Sequence, residues 1–325
     1  MKTRYRYGDS MTLEKGDIID LLVLFDCILD IHIPVKKFPL GVSHIESIPS
    51  MSMSPGGACN VAIAAAKTGC KAAMYDTVGD DAYGSALIDT LKSYGVRTES
   101  MHIKKNYTTG ICAILYDGRD GHAMLGKYTP PPAQAVAKTK SVGKARNVFF
   151  NGYSLTGGAS SSKAVREMLN RAKKDGSRIY FDTGPFVSDI AGISNFVELS
   201  DTIFFNAAES MKYTHMKSLQ HAANSLLKMK QTAVIKNGSA GAVLIHEGRA
   251  VNIPPYKSSS GRFTFGAGDV FDGTYISLRS QGYDEYRSAQ MSCIAAGLKT
   301  AGAGPDFIPS LSEIKTKLEA QVKAA

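Results

Sequence analysis

The sequence predicts an α/β fold: a Rossmann-like, mainly parallel sheet with helices on both faces and a small β-sheet lid. Three observations lead there. Short apolar runs of the kind buried parallel strands show, beginning with Ile18 to Phe25, alternate with helical segments along the chain. A Gly-Ala-Gly-Asp turn, Gly266 to Asp269, feeds straight into a helix whose Phe271, Tyr275 and Leu278 form one apolar stripe. Two stretches, 31–53 and 101–127, break the rhythm with short alternating strand-like pieces.

In order, Ile18 to Phe25 is the first strand, and the Ala-rich segment Ala58 to Lys67 is a helix closed by Gly69. Lys71 to Val78 reads as one strand, and Asp81 to Tyr94 as a helix ending at Gly95. Asn147 to Phe150 and Arg178 to Phe181 are strands around a helix from Ser162 to Lys174. Thr202 to Phe205 is a strand, Lys217 to Met229 a helix and Thr232 to Lys236 a strand. Ala242 to His246 and Arg249 to Ile253 flank a Glu247-Gly248 hairpin turn. Three helices follow: Asp269 to Ser280, Asp284 to Thr300 and Ser310 to Val322. Segments 1–30, 54–100 and 128–325 thus make one large domain. The pieces 31–53 and 101–127 make the lid, expected as an antiparallel sheet over the carboxyl ends of the parallel strands, where open α/β sheets bind ligands.

Composition narrows the function. The chain has 325 residues, 44% hydrophobic and 21% charged, which is the makeup of a globular protein rather than a disordered one. No apolar run reaches the roughly 18 residues a membrane helix needs. The first residues, MKTRYRYGDSMTLEKGD, lack the apolar core of a signal peptide, so a cytoplasmic location is expected and no membrane partner. The net charge of +9 is spread along the chain without charge blocks, zinc-finger spacing or an RNA-binding aromatic motif. Nucleic acid is therefore not the expected partner, whereas a small anionic ligand profits from such a surface. The five cysteines form no CxxC pair and read as reduced, buried thiols.

Chemistry concentrates at Gly266-Ala267-Gly268-Asp269. Small residues before a helix let backbone N–H groups approach an anion, and the helix N-terminus adds partial positive charge. An aspartate would repel that anion. It fits if it takes a proton from a nucleophile that attacks a phosphate held by the amides, so the arrangement points to phosphoryl transfer to a hydroxyl. Gly56-Gly57 before an Ala-rich helix carrying Asn60 would admit a substrate against bare backbone, or form a plain turn with a capping asparagine. Asp30, in the run that leaves the first strand, would hold polyol hydroxyls or serve as a turn aspartate. Asn206 and Glu209 have the spacing of a capping box, and equally of a pair that orders hydrated Mg²⁺. The turn from Lys236 through Gly238 to Gly241 would bind nucleotide through its backbone, or close a hairpin. Asn151 and Tyr153, just after a strand, are placed to face the pocket.

Together these motifs resemble the ribokinase-like (PfkB) family of carbohydrate and nucleoside kinases. The G-G-x-x-x-N-x-A element matches Gly56, Gly57, Asn60 and Ala62; V-G-D-D-x-x-G matches Val78 to Asp81 and Gly84; N-x-x-E matches Asn206 and Glu209; G-A-G-D matches Gly266 to Asp269. They occur in the family's order over roughly residues 18 to 305. The resemblance implies a ribokinase-like fold whose large domain is nucleotide-binding and catalytic. It implies ATP with Mg²⁺ as phosphoryl donor, Asp269 as general base and the amides of Gly266, Ala267 and Gly268 as anion hole. Asp30, Gly56, Gly57, Asn60 and Asn151 would then hold the acceptor. Asn206, Lys236, Gly238, Gly241 and Gly268 would hold the nucleotide, and Glu209 would serve Mg²⁺ through water. It further implies a sugar acceptor, with a nucleoside as the alternative, and a homodimer through lid strands.

The chain departs from the family pattern at three places. Phe263 replaces an aspartate that in many members helps bind a monovalent cation, so dependence on K⁺ is not expected. Thr183-Gly184-Pro185-Phe186 stands where N-x-R is usual, and Leu24-Phe25-Asp26 where a Gly-Asp or Gly-Glu pair is common. These departures leave a second class of function open, a catalytically silent binding or regulatory protein on the same fold. The intact Gly266-to-Asp269 element argues for the enzyme.

Overall fold

The computed structural model describes residues 18–40, 47–48, 50–117, 122–127, 145–187, 189–256 and 263–324. In chain order its first strands are β1 (Ile19–Leu24), β2 (Cys27–Pro34), β3 (Ser52–Gly57), β4 (Ala72–Tyr75), β5 (Thr77–Gly79), β6 (His102–Lys104), β7 (Gly110–Tyr116) and β8 (His122–Lys127). Then come β9 (Ala145–Asn151), β10 (Arg178–Asp182), β11 (Thr202–Asn206), β12 (Thr232–Lys236), β13 (Ala242–His246) and β14 (Arg249–Ile253). The helices are α1 (Cys59–Lys67), α2 (Ala82–Ser93), α3 (Gly158–Lys174), α4 (Ile193–Leu199), α5 (Ala207–Thr214), α6 (Leu219–Leu226), α7 (Ala267–Ser280), α8 (Glu285–Lys299) and α9 (Leu311–Ala324).

The main sheet has eight strands in the order β14-β13-β12-β11-β10-β9-β1-β4. From β4 to β12 every pair is parallel, and the β13–β14 hairpin closes the edge antiparallel. Successive residues point to opposite faces, so Phe149, Tyr180 and Phe204 enter one core and Phe150, Phe181 and Phe205 the other. Helices α1, α2, α7, α8 and α9 close the first core; α3, α4 and α6 close the second. Burial on both faces is why these strands read as continuous apolar runs. The expected α/β architecture is the one observed. Among the described residues no helix is long and apolar enough to cross a membrane, and Cys27, Cys59, Cys70, Cys112 and Cys293 are all free thiols, Cys112 only half buried.

Four expectations need correction. The strand over 71–78 breaks at Asp76, because its buried carboxylate accepts from the N–H of Cys27 at 2.8 Å and of Thr77 at 2.7 Å. That turns the chain out of the main sheet, and β5 pairs with β6 instead. Helix α3 starts a turn early, at Gly158, and the helix over 217–229 is confined to Leu219–Leu226 behind a Ser218 cap. Helix α4 had no counterpart in the sequence reading. The small sheet, in the order β3-β2-β7-β8, is mixed rather than antiparallel: β2 runs parallel to β7, since α1, β4 and α2 intervene between them. Strand β2 leaves the carboxyl end of β1 through a sharp bend, with φ of 65° at Phe25 and 56° at Asp26.

Candidate active site

That bend sets the first wall. Asp26, 3% exposed, accepts from the Asn151 side-chain amide at 2.7 Å and the Ala58 N–H at 3.2 Å. Asn151 is thus spent on holding Asp26, and its own Oδ1 accepts from Ser154. Burial, with the charges of Asp269 and Asp76, pushes the Asp26 carboxyl well above the usual range against the pull of Asn151. Asp30 lies four residues on, within β2 rather than at the tip of β1. A Cβ on Gly56 would sit 2.2 Å from its carboxyl carbon, and one on Gly57 (φ 55°) would sit 2.5 Å from the Asp26 carbonyl oxygen. Both positions need glycine for close approach, Gly57 for its backbone angle as well.

Helix α1 brings Asn60 up from below, where a Cβ on Gly266 would lie 3.0 Å from its Nδ2. Gly266 itself is left-handed (φ 69°) and opens α7 with no side-chain cap. The Ala267 N–H donates to the Thr264 carbonyl at 3.2 Å, so that amide closes the turn. The Gly268 N–H has no partner among the described residues. Asp269 follows on the first turn, partly buried. Burial lifts its carboxyl to about 6, helped by the charge of Asp182; Lys236, Lys299 and the Asn60 side chain oppose the rise. Burial, aided by the charge of Asp269, carries Asp30 to about 7, with Lys299 again opposing. Two carboxyls near enough for one to act on the other thus lie by an uncapped helix start.

Lys236, at the end of β12, reaches under this helix start. Its ammonium lies 2.8 Å from Asp182 Oδ2 and 2.9 Å from Asp272 Oδ2, and a Cβ on Gly268 would sit 3.4 Å from it. The two carboxylates hold Lys236 firmly protonated despite burial. Gly238 (φ 54°) faces open space on the following turn, whereas Gly241 (φ 88°) is glycine because a Cβ would meet the Ile253 carbonyl oxygen at 2.1 Å. Neither touches Asp269.

Asn206 and Glu209 form a complete capping box on α5: Glu209 N–H donates to Asn206 Oδ1 at 2.8 Å, and Asn206 N–H and Nδ2 donate to Glu209 Oε2 and Oε1 at 2.7 and 2.6 Å. Burial, then the nearby Asp182 charge, raises Glu209 to about 7. Among the described residues no group of three or more His, Cys, Asp or Glu could hold a metal ion directly. The V-G-D-D-x-x-G element is structural: Asp81 caps α2 through Gly84 N–H at 2.8 Å and accepts from Thr109. The sequence marks Asp26 only as the end of an unusual first strand and gives no role to Asp272 or Lys299, although each is an ionisable residue inside an otherwise apolar stretch, which is the available signal. Of the lid stretches, residues 41–46, 49 and 118–121 lie outside the described residues.

Residues 19–310 match the model of the pfkB family of carbohydrate kinases. The chain belongs to the PfkB family. Its members are phosphotransferases with a hydroxyl acceptor, and the chain is a sugar or nucleoside kinase of that family. Among curated relatives it is similar to an adenosine kinase of Schizosaccharomyces pombe, 24% identical over 72% of this chain and 76% of the relative. It is also similar to a mouse ribokinase, 25% identical over 78% of this chain and 79% of the relative. Its fold is shared with the ribokinase of Arabidopsis thaliana complexed with ribose and ATP (TM-score 0.75, 17% identity, 92% and 98% covered). The adenosine kinase of Sinorhizobium meliloti is comparable (TM-score 0.76, 19% identity, 92% and 99% covered).

Proposed function

We propose that this kinase transfers the γ-phosphoryl group of ATP to a hydroxyl of a small sugar, with Asp269 as general base. The observation that carries the reading is Asp269 on the uncapped first turn of α7, close enough to Asp30 for its charge to raise that carboxyl. With a pKa near 6, Asp269 is mostly ionised at neutral pH and competent to take the hydroxyl proton. Asp30, packed against Gly56, holds a neighbouring hydroxyl and so fixes the attacking oxygen in line. As the new O–P bond forms and the bond to the leaving diphosphate breaks, the Gly268 N–H and the α7 dipole take up the charge on the transferred group. Gly266 and Ala267 shape the turn that aims that amide.

Mg²⁺ on the donor phosphates would supply charge neutralisation. The donor set fits a hydrated ion rather than direct ligation, because both Glu209 oxygens already accept from Asn206 and retain only their outer lone pairs for water. Asn206 and the Gly238 turn line the route by which phosphates approach Lys236 and Gly268, and Gly241 sets the turn's shape.

One observation favours a nucleoside as second reading. Burial, then the nearby charges of Asp26 and Asp269, raises the Tyr153 hydroxyl, and the ring packs edge-on against Phe186 with centroids 5.0 Å apart. Such a pair can flank a flat base. A coupled ADP-release assay over free sugars, sugar acids, sugar phosphates and nucleosides tests both readings. Turnover with a free sugar is expected. Turnover with nucleosides alone selects the second reading, and nucleotide binding without turnover on any acceptor favours a silent binding protein.

A further inference from the structure

The last residue of α8, Lys299, is 3% exposed, and its ammonium is not directed at the carbonyls of its own helix. It donates to the Phe265 carbonyl and lies 3.5 Å from the Phe263 carbonyl. Both carbonyls belong to the strip that enters Gly266. The strip is tied to the same helix end a second time, by the Phe263 N–H donating to the Thr300 carbonyl at 3.1 Å. From the other side the lid holds it: the Phe263 ring meets Tyr116 at 5.2 Å and the Phe265 ring meets His122 at 5.4 Å. Among the described residues no carboxylate ion-pairs with Lys299. Burial lowers the Lys299 ammonium to about 8, which leaves it mostly protonated at neutral pH, and the charges of Asp269 and Asp30, across the site, oppose that fall.

An ordinary lysine at a helix end would complement its own helix dipole and stay in water. This one is buried, at the desolvation cost that burial of an ammonium carries, to satisfy two carbonyls of the strip that leads into the turn aiming the Gly268 amide. Phe263 has no oxygen on its side chain with which to hold a diffusible cation there. We propose that Lys299 is a tethered cation that fixes the anion-hole turn, so that the enzyme needs no monovalent ion. Lys299 is a positioning residue: it acts through the Phe263 and Phe265 carbonyls on the Gly266–Gly268 turn, and its charge also reaches Asp269. The proposal rests on the kinase reading of the same site and adds its cation requirement.

The test compares the wild type with Lys299→Ala, Lys299→Met and Lys299→Arg in choline, potassium and ammonium chloride at equal ionic strength. ADP affinity, melting temperature and, with an accepted substrate, kcat are each measured. The wild type should respond to K⁺ or NH₄⁺ by less than about twofold. Lys299→Ala should lose about tenfold or more in ADP affinity and kcat, and K⁺ or NH₄⁺ in the vacated space should restore much of it. Lys299→Met, which fills the space without charge, should lose as much and regain nothing. Lys299→Arg should stay within about tenfold of wild type.

Strong activation of the wild type by K⁺ would overturn the proposal. So would wild-type affinity in Lys299→Met, or a folded Lys299→Ala that binds weakly and ignores every cation. If Lys299→Ala does not fold in any salt, folding restored by K⁺ or NH₄⁺ but not by choline supports the proposal, and no restoration overturns it. Absence of turnover by the wild type on every acceptor defeats the kinase reading alone, because the affinity and melting measurements still report on Lys299.

Discussion

Lys236 and Asp272 form a buried ion pair, 2.9 Å between ammonium and carboxylate, directly beneath the helix start that bears Asp269. Asp182 completes it from the neighbouring strand end at 2.8 Å. The pair links strand β12 to helix α7 and sets the electrostatics of the base above it.

Lys236→Met should therefore do two things. It leaves two buried carboxylates without their cation, a loss of about 3–5 kcal/mol in denaturant unfolding. It also removes a charge that lowers the Asp269 pKa, so the acidic limb of the rate profile should move to higher pH. A destabilised variant with an unmoved limb would mean that Lys236 is purely structural.

Asp30→Asn should stabilise the ligand-free protein while abolishing acceptor binding. The folded carboxyl sits near 7 against 3.8 when unfolded, so the folded state binds its proton more tightly. Stability is therefore lost as pH rises from about 4 to about 7, and the full penalty is present above that. Removing the charge should recover about 1–3 kcal/mol at pH 8 and nothing at pH 4, read as a melting temperature higher by a few degrees at pH 8 only. An equal shift at both pH values would contradict the assignment.

Gly56→Ala should strike the acceptor and spare the nucleotide. The new Cβ would meet the Asp30 carboxyl at 2.2 Å and must displace it. We expect KM for the acceptor to rise by about tenfold or more, with ADP affinity unchanged and a stability cost of about 1–3 kcal/mol. A variant with unchanged acceptor KM would remove Asp30 from the pocket.

Asn206→Ala separates capping from catalysis. Loss of the cap should cost about 1 kcal/mol in unfolding free energy. If Glu209 also orders hydrated Mg²⁺, the Mg²⁺ concentration for half-maximal rate should rise well beyond what that stability change explains. Loss of stability alone would leave the pair as a helix cap.

Much of this architecture was legible because it is local. Continuous apolar runs mark strands buried on both faces, and the Glu247-Gly248 hairpin and the helix ends at Gly69 and Gly95 follow from backbone angles that glycine readily adopts. Helix α4 has only seven residues, too few for periodicity to register. The break at Asp76 depends on a hydrogen bond to Cys27, 49 residues away. The same limit applies in the site. Gly266 to Asp269 carries its chemistry in four consecutive residues, whereas Asp26, Asp272 and Lys299 acquire meaning only when distant strands and helices bring carbonyls and charges to them. Asn151 is the converse case: its position after a strand pointed to the acceptor, and the fold turns its amide onto Asp26.

The central claim is that Asp269 accepts the acceptor's proton, and Asp269→Asn tests it most directly. The measurement pairs kcat across pH 5 to 9 with ADP affinity in the same preparations. The wild-type rate should rise with pH through about 6 as the carboxyl ionises. The variant should lose about 10²- to 10⁴-fold in kcat and the acidic limb with it, while ADP affinity stays near wild type. A variant that keeps wild-type kcat, or the same acidic limb, would contradict the account.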